Sequence, residues 1–188
     1  LHFLFDNKIV SRVFVINLGF ILLSFFGICQ SSFAQLNSDN YTEIFKTQRQ
    51  SQGEMYFLKA SEQFKDGNYK SCIDKINEFL FLFPGHSATL KSLKLLSIAY
   101  KKKDMLDDSI KVDLLIYREN PTTEDGLTSY LDAGKKMLMV GRSKDGKKIL
   151  ENVRNQLYSS KIAKDAEIEL KQNQILEEDG FQIKEEMN

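Results

Sequence analysis

Apolar and small residues return along this chain in one fixed register. Tyr56, Ala60, Gly67, Cys72, Phe79 and Pro84 form the first set. Adding 37 to each number (56 + 37 = 93) gives Leu93, Ser97, Asp104, Ser109, Ile116 and Pro121. Adding it again gives Tyr130, Gly134, Gly141, Gly146, Val153 and Tyr158. A large apolar residue opens each set, small residues hold the second and fourth places, and an apolar residue holds the fifth. Self-similarity at such a period is the mark of a repeat architecture.

Each set predicts a pair of helices. A large residue and a small one four positions later share a helix face, and the small one lets a neighbouring helix approach. Gly67, Asp104 and Gly141 fall where the chain must turn. The second helix carries a small residue, then an apolar one seven later on the same face. It closes near Pro84 or Pro121, because proline cannot continue a helix interior. One such hairpin cannot bury its apolar face alone, whereas stacked hairpins can. The expected fold is all-α, a solenoid of about three helical hairpins over residues 53–158, with seven helices between Gly53 and Glu178 and no strand.

The stretches "YFLKASEQFKDGNYKSCIDKINEFLFLFP" and "LKLLSIAYKKKDMLDDSIKVDLLIYRENP" resemble tetratricopeptide repeats. The large–small pair, the "GNY" turn and the closing prolines carry the resemblance. The third copy replaces the proline with Tyr158 and places Gly146 inside its second helix. With its lengthened repeats the chain is similar to outer-membrane assembly lipoproteins of the BamD type, although it carries fewer repeats and lacks their lipobox.

The resemblance implies a protein–protein interaction scaffold whose first helices line a concave groove. In this register the groove candidates are Phe57, Phe64, Lys94, Ile98, Lys101, Lys102, Lys135 and Leu138. They suggest apolar ends and a basic middle, suited to an acidic or C-terminal segment of another protein. Relatives that clamp a C-terminal carboxylate use Asn where this chain has Ser61, Ile98 and Lys135, which argues against that clamp.

The flanks complete the organisation. Lys8 and Arg12 precede the uncharged run Val13–Ile28, and "CQSSFAQ" follows. A basic start, an apolar centre and small residues at a cut site describe a secretory signal peptide over 1–34, with cleavage after Ala34. Retention as a membrane anchor and lipidation at Cys29 are the other fates this stretch allows. Residues 35–52 read as a polar linker with a short helix from Tyr41. Residues 159–180 read as a capping helix, with Ser159 and Ser160 able to cap it and Gly180 as its stop. Residues 181–188 read as a tail.

Composition narrows the function further. Lys+Arg 26 balances Asp+Glu 26, which argues against a nucleic-acid binder. Gly141 to Lys147 reads Gly-x-x-x-x-Gly-Lys, but a phosphate loop needs a preceding strand and a following Ser or Thr. Here a helical run precedes it and Lys148 follows, so no nucleotide is expected. After cleavage His86 and Cys72 are the lone His and Cys, too few for a metal cluster. His86 is expected at a loop tip, and Cys72 as a small buried residue. No catalytic residue, cofactor or metal is expected.

The reading is therefore an exported, periplasmic or cell-envelope scaffold, in the manner of an envelope or outer-membrane assembly factor. The alternatives are a self-associating module and a non-catalytic subunit of an envelope enzyme. Membrane contact is expected only through the N-terminal segment.

Overall fold

The computed structural model describes residues 41–186, with side-chain environments through Glu178. The expected signal segment, residues 1–34, lies outside the described residues, as do 35–40 of the expected linker. The chain divides into two units, the first ending at Arg49 and the second beginning at Gln50. Residues 41–49 are helical with exposed side chains. The expected linker is thus helical wherever it is described.

The second unit is all-helical. Helix α1 covers 50–65, followed by α2 (Tyr69–Leu82), α3 (Thr89–Lys102), α4 (Leu106–Glu119), α5 (Glu124–Met139), α6 (Ser143–Asn155) and α7 (Ser160–Glu186). No strand occurs among the described residues. From α2 onward each helix packs on the next, and α5 also meets α7.

Turns within each pair share one backbone solution. Gly67, Asp104 and Gly141 all take positive φ, at 76°, 59° and 79°. In each turn the following residue donates its N–H five positions back: Asn68 to Gln63 O at 2.9 Å, Met105 to Tyr100 O at 2.9 Å and Arg142 to Met137 O at 2.8 Å. This is a Schellman closure, in which a left-handed residue lets the chain satisfy the last helix carbonyls. Aspartate is among the few non-glycine residues that tolerate that region.

The register positions lie in the core. Ala60, Ser97, Cys72, Ser109, Phe79, Ile116 and Val153 are all buried. Gly134 and Gly146 bring α5 and α6 together, since a Cβ on Gly146 would stand 2.8 Å from the Gly134 carbonyl oxygen. One apolar cluster gathers Cys72, Ile76, Leu96 and Ile116, and a second gathers Leu131, Met137, Leu150 and Ile162. Burial pushes the Cys72 thiol up to about 11, so at neutral pH it stays protonated and is a poor nucleophile. Ala60 is fully enclosed. Ala60→Leu should cost about 1–3 kcal/mol by overpacking, read as a lower denaturation midpoint with an unchanged m-value.

Two local expectations are corrected. His86 is buried, not at a loop tip. Its Nδ1 accepts from Ala88 N–H at 3.0 Å, so Nε2 carries the proton and donates to Gln50 O at 2.9 Å. Its ring lies edge-on to Phe79 and Phe83, and Gly53 leaves room for it. Secondly, Gly180 does not stop α7, which runs on to Glu186 through most of the expected tail. A mid-helix glycine costs only about 1 kcal/mol relative to alanine, and no proline follows. The loop before α7, where Tyr158 replaces proline, is tied by Gln156. Its side-chain oxygen accepts from Tyr158 N and Ser159 N, and its amide donates to Ser159 O. Ser159 then caps α7 by accepting from Ile162 N, as expected.

Candidate functional site

A cleft of about 510 Å³ opens between α3 and α5, with α4 beneath. Its size lies within the ~300–1,000 Å³ of ligand-binding clefts. Helix α3 contributes Lys94, Ser97, Ile98, Lys101 and Lys102. These recur at intervals of three and four, which is one helix face. Helix α5 contributes Asp125, Thr128, Ser129, Asp132 and Lys136 by the same spacing, and α4 contributes Asp113 and Ile116.

The floor is a buried polar network. Lys136 and Asp113 form an ion pair, each side chain about one-twentieth exposed. Lys136 Nζ also donates to Ser97 Oγ at 3.0 Å, and Ser97 Oγ donates to Asp113 Oδ1 at 2.5 Å. Ser109 Oγ lies 3.0 Å from Ser97 Oγ and donates to Ser97 O at 2.8 Å. Burial pushes the Asp113 carboxyl above its ordinary value, against the hold of Lys136 and Ser97. Desolvation therefore outweighs the attraction at this carboxylate.

Charges at the mouth are less enclosed. Lys94 pairs with Asp125 at 2.5 Å, both side chains nearly half exposed. Lys101 and Lys102 are exposed and carry no ion pair among the described residues. Ile98 is half exposed and supplies an apolar wall.

Of the groove candidates, Lys94, Ile98, Lys101 and Lys102 converge on this cleft, and the other four do not. Phe57 packs beside the Phe79–Phe83 cluster. Phe64 packs against the Cys72–Ile116 cluster and lies edge-on to Tyr69 at 5.3 Å. Lys135 reaches α7 and pairs with Glu169 at 2.5 Å. Leu138 covers Gly146 on α6. The physical reason is that a stacked helix has two sides. Phe57, Lys94 and Leu131 are equivalent by register (57 + 37 = 94; 94 + 37 = 131), as are Ile98 and Lys135 (98 + 37 = 135). The side of α5 that bears Lys135 meets α7, whereas the side that bears Lys136 faces back to α3 and α4.

The floor residues were missed in the sequence, yet the register contains their trace. Asp113 is the equivalent of Ile76 and Leu150 (76 + 37 = 113; 113 + 37 = 150), both fully buried. Lys136 is the equivalent of Ala99 (99 + 37 = 136), also fully buried. A carboxylate and an ammonium therefore occupy core columns one helix apart.

The Gly-x-x-x-x-Gly-Lys stretch does not form a loop around a phosphate-sized space. Gly141 sits in a turn and Gly146 within α6, pressed on the Gly134 carbonyl. Among the described residues no group of three His, Cys, Asp or Glu side chains could hold a metal ion. No helix there is long and apolar enough to cross a membrane. No protein-family model matches the chain, and no curated protein matches it.

Proposed function

We propose that this protein is a tetratricopeptide-like interaction scaffold that binds a segment of another protein in the α3–α5 cleft. Its task is binding, and no chemistry is assigned to it. The observation that carries this reading is the convergence of Lys94, Ile98, Lys101 and Lys102 on one face of α3, opposite a polar face of α5. Supporting it is the threefold recurrence of the left-handed turn at 37-residue spacing (67, 104, 141), as stacked hairpins require. The basic start and apolar run before Ala34 favour an exported protein of the cell envelope, where assembly factors would be natural company.

Lys94 is already paired, so partner charge should be read by Lys101 and Lys102. Lys101→Glu/Lys102→Glu is expected to weaken binding of a captured envelope partner at least about tenfold at low salt, since the association rate and its salt dependence follow exposed charge. The loss should shrink as salt rises, because screening acts over ~8 Å at physiological ionic strength. Equal affinity and equal salt dependence for wild type and variant would remove the cleft from the account.

A second reading has its own observation. Helix α7 exposes Ile168, Ile175 and Leu176, seven and eight positions apart and so on one face. Light scattering on the purified protein distinguishes self-association through this face from a monomeric scaffold.

A further inference from the structure

The reading of the cleft as a site for a protein segment leaves the kind of segment open, and the inference below rests on that reading. We infer that the cleft takes an internal acidic stretch of polypeptide, with a backbone carbonyl at the floor and carboxylates at the mouth, and not a chain terminus.

The floor of the cleft holds an unused donor. The Lys136 ammonium has three N–H groups, of which Asp113 and Ser97 take two. Ser129 is buried, lines the cleft, and has no side-chain hydrogen-bond partner among the described residues. Its hydroxyl is not among the enclosed, partnerless groups, which belong to Thr89, Ser92 and Asn173, so it meets the solvent of the cleft, where an incoming acceptor can replace water. Lys136 thus offers a donor to an incoming oxygen at the floor, and Ser129, two turns earlier on α5, offers a second donor along the cleft.

The charge of that oxygen follows from its neighbours. Lys136 is already neutralised by Asp113. A C-terminal carboxylate at the floor would place a second negative charge beside Asp113 with no further cation within the network. Like charges in a dry site oppose one another strongly. A peptide carbonyl accepts the same hydrogen bond with no such cost.

At the mouth the balance reverses. The cleft holds Lys94, Lys101, Lys102 and Lys136 against Asp113, Asp125 and Asp132. After the pairs Lys94–Asp125 and Lys136–Asp113 are removed, Lys101 and Lys102 face Asp132 alone. The surplus positive charge is therefore at the exposed rim, where acidic side chains of a passing segment remain partly hydrated. Ile98 between them offers contact to an apolar residue of the same segment.

The test uses two arrays of the same random-sequence short peptides, probed with the full chain. One array is attached through peptide C-termini, so no free C-terminal carboxylate exists, and the other through N-termini. Acidic sequences with an apolar residue should bind equally on both. Ser129→Ala should weaken binding to them about 2–10-fold, the value of one hydrogen bond. Lys101→Glu/Lys102→Glu should lose the acidic preference. Binding confined to free C-termini, or indifference to Ser129→Ala, overturns the inference while leaving the cleft as a binding site. Silence on both arrays overturns the cleft reading itself, and the inference with it.

Discussion

Asp113→Ala is expected to lower the unfolding free energy by about 3–5 kcal/mol, the cost of leaving a buried charge without its partner. Lys136 is almost wholly enclosed and would keep only Ser97 Oγ as an acceptor. Lys136→Met should cost less, because an abandoned Asp113 can take up a proton. The double variant Asp113→Leu/Lys136→Met should be close to wild type or more stable, since apolar packing replaces both desolvated charges. Ile76 and Leu150 show that the Asp113 column accepts such residues.

The pH dependence has a defined sign. A carboxyl raised in the fold stabilises fully below its unfolded value of 3.8. That contribution is lost as pH rises through the folded value. The advantage of the double variant over wild type should therefore be smallest below pH 3.8 and grow toward neutrality. Denaturant unfolding of all four proteins at both pH values measures it. A cost under about 1 kcal/mol for Asp113→Ala would mean that the floor is wet.

Gly126→Ala should be the second severe substitution, at about 3 kcal/mol, the upper end of overpacking. A Cβ there would stand 1.8 Å from the Asn120 carbonyl oxygen. That oxygen accepts from Thr123 Oγ1 at 3.1 Å, and Thr123 Oγ1 in turn caps α5 by accepting from Gly126 N. The obstacle is backbone, so no side-chain rotation relieves it, and the cap opens with the loop. Gly67→Ala is the control: nothing lies within 4 Å of a Cβ there, and only the left-handed φ costs about 1–2 kcal/mol. Thermal denaturation should rank Gly126→Ala well below Gly67→Ala; the reverse order would contradict the α4–α5 geometry.

Much of the fold was legible because it depends on size and spacing. Ala60, Cys72, Ser109 and Gly146 mark contacts by being small, and Gly67, Asp104 and Gly141 mark turns by tolerating positive φ. Helix ends were less legible. Gly180 looked like a stop, yet no proline or cap enforced one, and α7 continues. His86 looked exposed because a polar residue in a loop usually is; its burial depends on a distant glycine, Gly53, and a carbonyl of Gln50.

The site was half legible. Lys94, Ile98, Lys101 and Lys102 follow from the face of a single helix. Lys136 could not be told from Lys135 by composition, since both are lysines on α5. What separates them is which neighbour each side of α5 meets: Glu169 for Lys135 and Asp113 for Lys136. The floor also needed three helices at once, because Ser97, Asp113 and Lys136 meet only after α3, α4 and α5 pack.

The α3–α5 cleft is the proposed seat of a partner. Photo-cross-linking from single positions tests that most directly. A benzophenone amino acid replaces Ile98 in the cleft wall, or Lys111, exposed on the far side of α4, and the protein is irradiated in the cells that make it. The cleft account predicts a discrete cross-linked partner from Ile98, lost in Lys101→Glu/Lys102→Glu, and none from Lys111. Cross-links from Lys111 alone, or from Ile98 regardless of the lysines, would contradict it.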